Sequence, residues 1–479
     1  MTDHKNVIVK NLFWRFAERC GAQGVTFVVS IILARLLDPA LYGTVALVTV
    51  FITFLQVFVD GGLGNALIQK KDADATDFST VFYFNVGMCL GLYLLMFLAA
   101  PLIARFYSDP ALVAVIRVLS LTIVISGMKN IQQAYVSRHM LFKKFFYSTL
   151  IGTIFAAVVG ITLAYCGFGI WALVAQHLTN TLVDTVILWC TIDWRPTRTF
   201  SAQRLRVLFS YGWKLLVSSL IDAVYNDLRQ LLIGKLYSKN DLAYYNRGKQ
   251  FPYILVVNIN KSIDSVLFPV LSRAQSQVED IKRLTKKAIK TSSFIMWPMM
   301  FGLAVVAEPL VRIVLTEKWM DCVPFLRIFC VIYGFYPIHT ANLNAIKALG
   351  RADLFLKMEI VKKIVGIVIL LCSIPFGVLV MAYSLLLTTV ISTFINAYPN
   401  KQLMGYTYRE QIRDMAPSCL LAAFMAAVIS LLGFFIENPF VLLVLQVLAG
   451  GALYMAGAKL LKLESYGDLI KIVKSLLHR

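Results

Sequence analysis

Acidic residues are scarce in this chain. Its 479 residues hold 26 Asp and Glu against 46 Lys and Arg, a formal net charge of +20. Charged residues of both signs make up 15%, well under the ~25% of an ordinary soluble domain. No long polar block interrupts the chain, which excludes a soluble enzyme carrying a single membrane anchor. The signatures of ATP and metal chemistry are also missing. There is no Walker A sequence, no HExxH and no Cys/His metal set. None of the 8 cysteines has CxxC spacing. They lie in or beside apolar runs, or near a helix start, and read as small apolar residues outside any disulfide framework. The first apolar run is interrupted by Arg15, Glu18 and Arg19, with no small-residue cleavage site after it, so the start does not read as a cleavable signal peptide.

What the chain has in abundance is apolar surface: 59% hydrophobic residues, 13% aromatic, and a mean hydropathy of +0.73. A helix needs about 20 mostly apolar residues to cross a hydrocarbon core. Apolar runs separated by polar breaks give roughly 14 spans, at 14–36, 42–66, 79–100, 112–133, 146–166, 168–191, 208–234, 250–272, 292–315, 323–346, 358–378, 379–398, 416–436 and 439–460. The expected fold class is therefore an all-α polytopic membrane protein of about 14 transmembrane helices. Its tightest turns fall at Gly167, Phe376-Gly377 and Glu437-Asn438-Pro439.

Lys and Arg are distributed unevenly over alternate loops, and that bias sets orientation. One side carries Arg35, Arg105, Lys235, Lys239, Arg247, Lys249, Arg312 and Lys318. The other carries roughly four times as many, which marks it as cytoplasmic and places both termini there. Topology thus accounts for most of the positive charge, and no nucleic-acid partner is implied. The basic segment Gln277 to Lys290 reads either as a short helix lying on anionic lipid or as a topogenic charge cluster.

An internal repeat runs through the sequence. Leu33-Ala34-Arg35-Leu36-Leu37-Asp38-Pro39-Ala40-Leu41-Tyr42-Gly43 parallels the segment from Ile233 to Tyr245, and Asp60, Leu63 and Leu67 parallel Asp264, Leu267 and Leu271. Both comparisons keep an offset of about 200 residues. Six spans per half leaves the two halves in the same orientation, as in parallel repeats with a substrate site between them at mid-membrane. The expected organisation is a lobe at 1–200 (spans 1–6), a second at 201–400 (spans 7–12), and spans 13 and 14 with a cytoplasmic tail at 401–479. Two lobes that rock about a central site favour a transporter over a channel.

Ionisable residues at membrane depth mark function or a buried pair. Span 7 carries Asp222, Asn226 and Arg229 at helical spacing, with Asp227 beside them. Span 8 carries Asn258, Lys261 and Asp264. Lys261 is expected near mid-membrane, with Asp264 or Asp222 as its partner. These groups either line a cavity or lock two helices together. The first half offers Arg15, Glu18 and Arg19 in span 1, Asp60 in span 2, Arg117 and Lys129 in span 4, and Gln176, Asn180 and Asp184 on one face of span 6. Snorkelling towards an interface would also account for Arg19 and Lys129. In span 10, Arg327 is expected to snorkel outward, and His339, Asn342 and Asn344 to make helix-packing hydrogen bonds. Cations in a low-dielectric cavity suit an anion, and a lipid-borne diphosphate is the obvious one. Tyr225, Tyr244, Tyr245, Tyr253, Tyr333 and Tyr336 fit either sugar stacking or an interfacial belt. Gly87 and Gly91 in span 3 have the spacing of a small-residue helix contact. Asp72-Ala73-Asp74 has the form of a metal–diphosphate pair but lies in a loop of about a dozen residues, too short for that use.

The stretch from Leu33 to Gly43, then Asp60-Gly61-Gly62-Leu63-Gly64-Asn65-Ala66-Leu67-Ile68-Gln69, resembles the bacterial polysaccharide transporter family. These are the O-antigen and exopolysaccharide flippases of the multidrug/oligosaccharidyl-lipid/polysaccharide exporter superfamily. Tyr244-Tyr245-Asn246-Arg247-Gly248, Phe268 to Arg273, Glu317-Lys318-Trp319 and Ala348-Leu349-Gly350 extend the resemblance, which is strongest to colanic-acid-type exporters. It implies two six-helix lobes around a V-shaped cavity, two extra helices, and a bacterial inner-membrane protein. Its substrate would be a polyprenyl-diphosphate-linked oligosaccharide, turned from the cytoplasmic to the outer leaflet. Partners would be membrane lipid and the glycan polymerase or export machinery. By position, Arg19 and Lys261 are the diphosphate contacts carried over. No cofactor is implied; proton, sodium or membrane potential are the coupling options. Alternatives are a drug or small-cation antiporter of the same superfamily, expected to have an acidic cavity, and a scaffold of a glycan-export complex. A membrane glycosyltransferase would need a sizeable loop with catalytic carboxylates, and the sequence has none.

Overall fold

The computed structural model describes residues 21–60, 63–70, 72–274 and 277–467. Among the described residues every regular element is helical. In hydrocarbon each backbone N–H and C=O must find its partner within the segment, and a helix provides that by itself. Nine helices among the described residues are long and apolar enough to cross a membrane. The chain divides into two compact units, Met1–Ala243 and Tyr244–Arg479.

In the first unit, α1 (Gly21–Leu36) and α2 (Pro39–Asp60) are joined by a two-residue turn. Pro39 opens α2, where its missing N–H would have had no helical acceptor. A short α3 (Leu63–Gln69) leads to α4 (Ala75–Phe106). Asp74 caps α4 by accepting from the Asp77 N–H at 2.9 Å, and the Asp77 side chain returns the contact to the Asp74 N–H. The expected span at 112–133 is broken into α5 (Ala111–Leu119) and α6 (Leu121–Arg138).

Helices α7 (Phe142–Tyr165) and α8 (Ile170–Thr191) form a hairpin whose turn places Gly167 and Gly169 at positive φ. The seam of the hairpin is made by small residues. A Cβ on Gly152 would come within 3.2 Å of the Asn180 and Asp184 backbone, and one on Gly160 within 3.0 Å of Gln176. The polar stripe of α8 is therefore turned inward onto α7. The expected contact at Gly87 and Gly91 is not made, since both face open space. Gly127 of α6 packs on Cys89 of α4 instead.

Helix α9 (Ala202–Leu236) packs against α2, α3 and α4. The turn that follows it is pinned. Lys239 pairs with Asp109 at 2.5 Å. Lys235 donates to the Phe106 carbonyl and lies over the Phe106 ring at 4.4 Å. A Cβ on Gly43 of α2 would sit 1.9 Å from the Lys239 carbonyl oxygen. Only glycine fits there.

Helix α10 (Lys239–Arg273) begins just before the boundary and belongs almost wholly to the second unit. After it come α11 (Val278–Val305), α12 (Ala307–Val314), a 3-10 segment at Glu317–Cys322, α13 (Val323–Gly334), α14 (Tyr336–Ala348), α15 (Ala352–Ser373), α16 (Val378–Met404), α17 (Tyr408–Ser430) and α18 (Pro439–Leu460). Helix α11 packs on α13, α14 and α17, and α17 on α18. Trp297 fills the space opposite Gly334, where a Cβ would come within 2.4 Å of the indole. Asn438 caps α18 with its side-chain oxygen.

Two expectations are corrected here. Gln277 to Lys290 is not a separate surface helix, because α11 runs unbroken from Val278 to Val305. Its cations turn to neighbouring chain: Lys290 pairs with Glu464 at 2.7 Å, Lys286 approaches Asp414 at 3.6 Å, and Lys282 donates to the Gly405 carbonyl at 3.0 Å. The tyrosines do not form one exposed set. Tyr245 and Tyr333 are buried, and Tyr333 meets Tyr336 edge-on at 4.8 Å, so part of the group is core.

Candidate functional site

Four long helices, α8, α9, α10 and α15, stand outside the nine, being more polar or more charged. Most of the candidate charges lie on three of them. Asp184 is on α8, Asp222, Asp227 and Arg229 are on α9, and Lys261 and Asp264 are on α10 with Asn258.

In the first unit the charges are neutralised locally. Lys129 on α6 pairs with Asp184 at 3.0 Å. Asp60 on α2 accepts from Asn130 at 3.0 Å and Gln56 at 3.2 Å. Lys129 also lies within electrostatic reach of Asp60. Three helices, α2, α6 and α8, thus share one polar cluster. The snorkelling account of Lys129 is replaced, since its ammonium turns inward to a carboxylate. On α9, Asp222 and Asn226 are exposed whereas Arg229 is 7% exposed. Asp227 accepts from Gln230 at 2.6 Å. Arg19 and Glu18 lie outside the described residues.

The second unit treats its charges differently. Asp264 accepts from the Asn344 amide of α14 at 2.7 Å. Asn258 donates back to its own helix, to the Ile254 carbonyl at 3.0 Å. Lys261 stands between them, exposed, with no ion pair or hydrogen bond among the described residues. The expected bond to Asp264 is not made. At 1.5 Å per residue Lys261 is about 18 Å from the end of α10, far enough in to lie at hydrocarbon depth.

A second polar network was only half visible in the sequence. Asn342 donates to Gln411 at 2.8 Å and accepts from Asn400 at 2.7 Å. Asn396 meets His339 at 2.8 Å. These bonds tie α14 to α16 and α17, as expected for His339 and Asn342. The i, i+4 spacing of Asn396 and Asn400 on one apolar helix was the available signal for the partners. Arg327 is half exposed and donates to the Ala304 carbonyl at 3.2 Å.

Asp74 of the D-x-D sequence is a helix cap, paired with Arg204 at 2.5 Å. That guanidinium, with the Asp77 N–H, holds the Asp74 carboxyl down to about 2. Among the described residues no three His, Cys, Asp or Glu side chains converge to hold a metal ion.

These helices and their polar sets define a polytopic transporter-type fold. A solved lipid II flippase, MurJ in its inward closed conformation, superposes with a TM-score of 0.77 over 96% of this chain and 100% of its own, at 15% identity. That likeness concerns the fold. Residues 32–324 match the family model described as polysaccharide biosynthesis protein, and the chain belongs to that family. The succinoglycan biosynthesis transport protein ExoT of Rhizobium meliloti is 25% identical over 73% of this chain and 71% of its own length. The lipopolysaccharide biosynthesis protein WzxC of Escherichia coli is 24% identical over 82% and 80%.

Proposed function

We propose that the protein is a flippase. It carries a polyprenyl-diphosphate-linked oligosaccharide, an exopolysaccharide or O-antigen repeat unit, from the cytoplasmic to the outer leaflet by alternating access. The observation that carries this reading is Lys261, a cation in the middle of a long helix with no ion pair or hydrogen bond among the described residues, in a member of a polysaccharide biosynthesis family. An ammonium in that position needs an anion, and a diphosphate supplies one. An acidic cavity suited to a drug cation would not place Lys261 there.

In this reading the lobes are 1–200 and 201–400, with α17 and α18 appended and both termini in the cytoplasm of a bacterial inner-membrane protein. Lys261 and Arg19 contact the diphosphate, and Arg229 and Asn258 line its path. Lys129 and the carboxylates of Glu18, Asp60, Asp222, Asp227 and Asp264 shape the field or carry coupling ions. An inside-negative potential favours outward movement of an anion by about 2.3 kcal/mol per charge per 100 mV. Polymerase or export proteins would take up the delivered unit.

The test is glycan export in cells carrying Lys261→Ala, with membrane insertion followed by a tag. Loss of export with lipid-linked oligosaccharide accumulating inside is the expected result. Normal export from normally inserted protein would refute the Lys261 contact. In vesicles, flipping should respond to an imposed potential; a response to proton or sodium gradients alone would remove the potential as a driving force.

A further inference from the structure

The second unit contains a cavity of about 710 Å³ that the flippase reading does not use. It lies where α11 ends and α18 begins, at the opposite end of α11 from Lys282, Lys286 and Lys290. Its polar wall carries both signs: Arg312 and Arg327 beside Glu308 and Glu437. Both arginines approach Glu308, at 3.8 Å and 3.7 Å; Arg312 also turns its Nε to Glu317 at 3.1 Å and Arg327 its Nε to the Ala304 carbonyl at 3.2 Å, which leaves the other guanidinium N–H groups for the cavity. Glu437 is exposed and makes no ion pair among the described residues. The opposite wall is apolar, built from α11, α17 and α18.

A second feature points to an occupant. Gln446 lines the cavity at 3% exposure, and its Nε2 donates to the Ile429 carbonyl at 3.3 Å. Its Oε1 is buried and has no donor among the described residues. A buried acceptor left empty is unfavourable, so a ligand with a hydrogen-bond donor gains by filling it. Phe434 and Phe435 beside the cavity are each 83% exposed, which suits lipid rather than water.

We infer that this cavity binds a zwitterionic phospholipid of the phosphatidylethanolamine type. The guanidiniums of Arg312 and Arg327 take the phosphate, for which their planar forks are suited. The ammonium finds acceptors in Glu437, Glu308 and Gln446, and the acyl chains lie along α17 and α18. The lining charges cancel, two of each sign, which matches a zwitterion and disfavours an anionic headgroup. The volume falls within the usual range of ligand sites, about 300–1,000 Å³. This assignment does not depend on the transported substrate.

The full-length protein in detergent, offered equal phosphatidylethanolamine and phosphatidylglycerol of matched acyl chains, tests it by native mass spectrometry. The expected result is one retained phosphatidylethanolamine per chain, favoured at least about fivefold. Arg327→Gln should abolish retention of both lipids. Glu437→Gln, a change to an exposed side chain that leaves the helices intact, should remove the preference. Equal retention of the two lipids, preference for phosphatidylglycerol, or retention unchanged in both variants would overturn the assignment.

Discussion

The two units handle lysine at membrane depth in opposite ways. In the first, Lys129 is closed off by Asp184, while Asn130 and Gln56 hold Asp60 next to it. In the second, Asn344 occupies Asp264, and Lys261, one turn away, has no such partner among the described residues. An amide in place of a cation as the carboxylate's partner is what releases the lysine. A paired charge holds helices together, whereas a spare one can hold a ligand. Under the proposed function the same residue type closes an ion pair in one half and meets the substrate in the other.

That contrast can be broken most severely at the pair. Asp184→Ala leaves the half-buried Lys129 without its carboxylate and should destabilise the first unit by about 2 kcal/mol. Thermal unfolding in detergent measures this, and the double variant with Lys129→Ala should recover most of the loss. Asn344→Ala removes a donor from a half-solvated carboxylate and should cost about 1 kcal/mol. If Asp264 then recruits Lys261, transport should fall as well, and the two readouts together show whether the amide keeps the lysine available. Lys261→Ala should shift stability by less than about 0.5 kcal/mol, as exposed changes usually do, while export is lost. A large stability loss would put Lys261 in the same class as Lys129.

The smallest effect concerns the cap of α4. The Asp74 carboxyl is held at about 2 in the folded state. A depressed value contributes stability above the unfolded value of about 4. That contribution is lost as pH falls through about 2. Wild type and Arg204→Gln should differ in stability above pH ~4 and converge towards pH ~2.

Much of the fold was legible because apolar runs measure hydrocarbon thickness. Among the described residues the expected spans fall largely on helices, nine of which are long and apolar enough to cross a membrane, and the turns at Gly167, Gly377 and Asn438 fall where the runs break. What hydropathy cannot register is helix beyond the hydrocarbon. The ends of the 35-residue α9 and α10 beyond the expected 208–234 and 250–272, and the polar start of α11, escape hydropathy for this reason; in α11, ion pairs to α17 and the chain after α18 hold that start in place. The charged candidates were equally legible, since each is an anomaly against an apolar background. Their partners were not. Gln56, Asn130 and Asn344 are ordinary polar residues until the packing of α2 on α6 and α10 on α14 gives them a carboxylate to bond. The face of Asp222, Asn226 and Arg229 also divided, because α9 packs on several helices and buries the arginine alone.

Gly43 rests on the carbonyl of Lys239, a residue made 196 positions later. Synthesis proceeds at about 5–20 residues per second, so α2 waits on the order of 10–40 s for the chain that completes its packing. Throughout that interval its glycine face is open in the bilayer. Completion of this contact is thus paced by the ribosome, and α2 must hold its place on the helices already made while the surface around Gly43 is still unfilled.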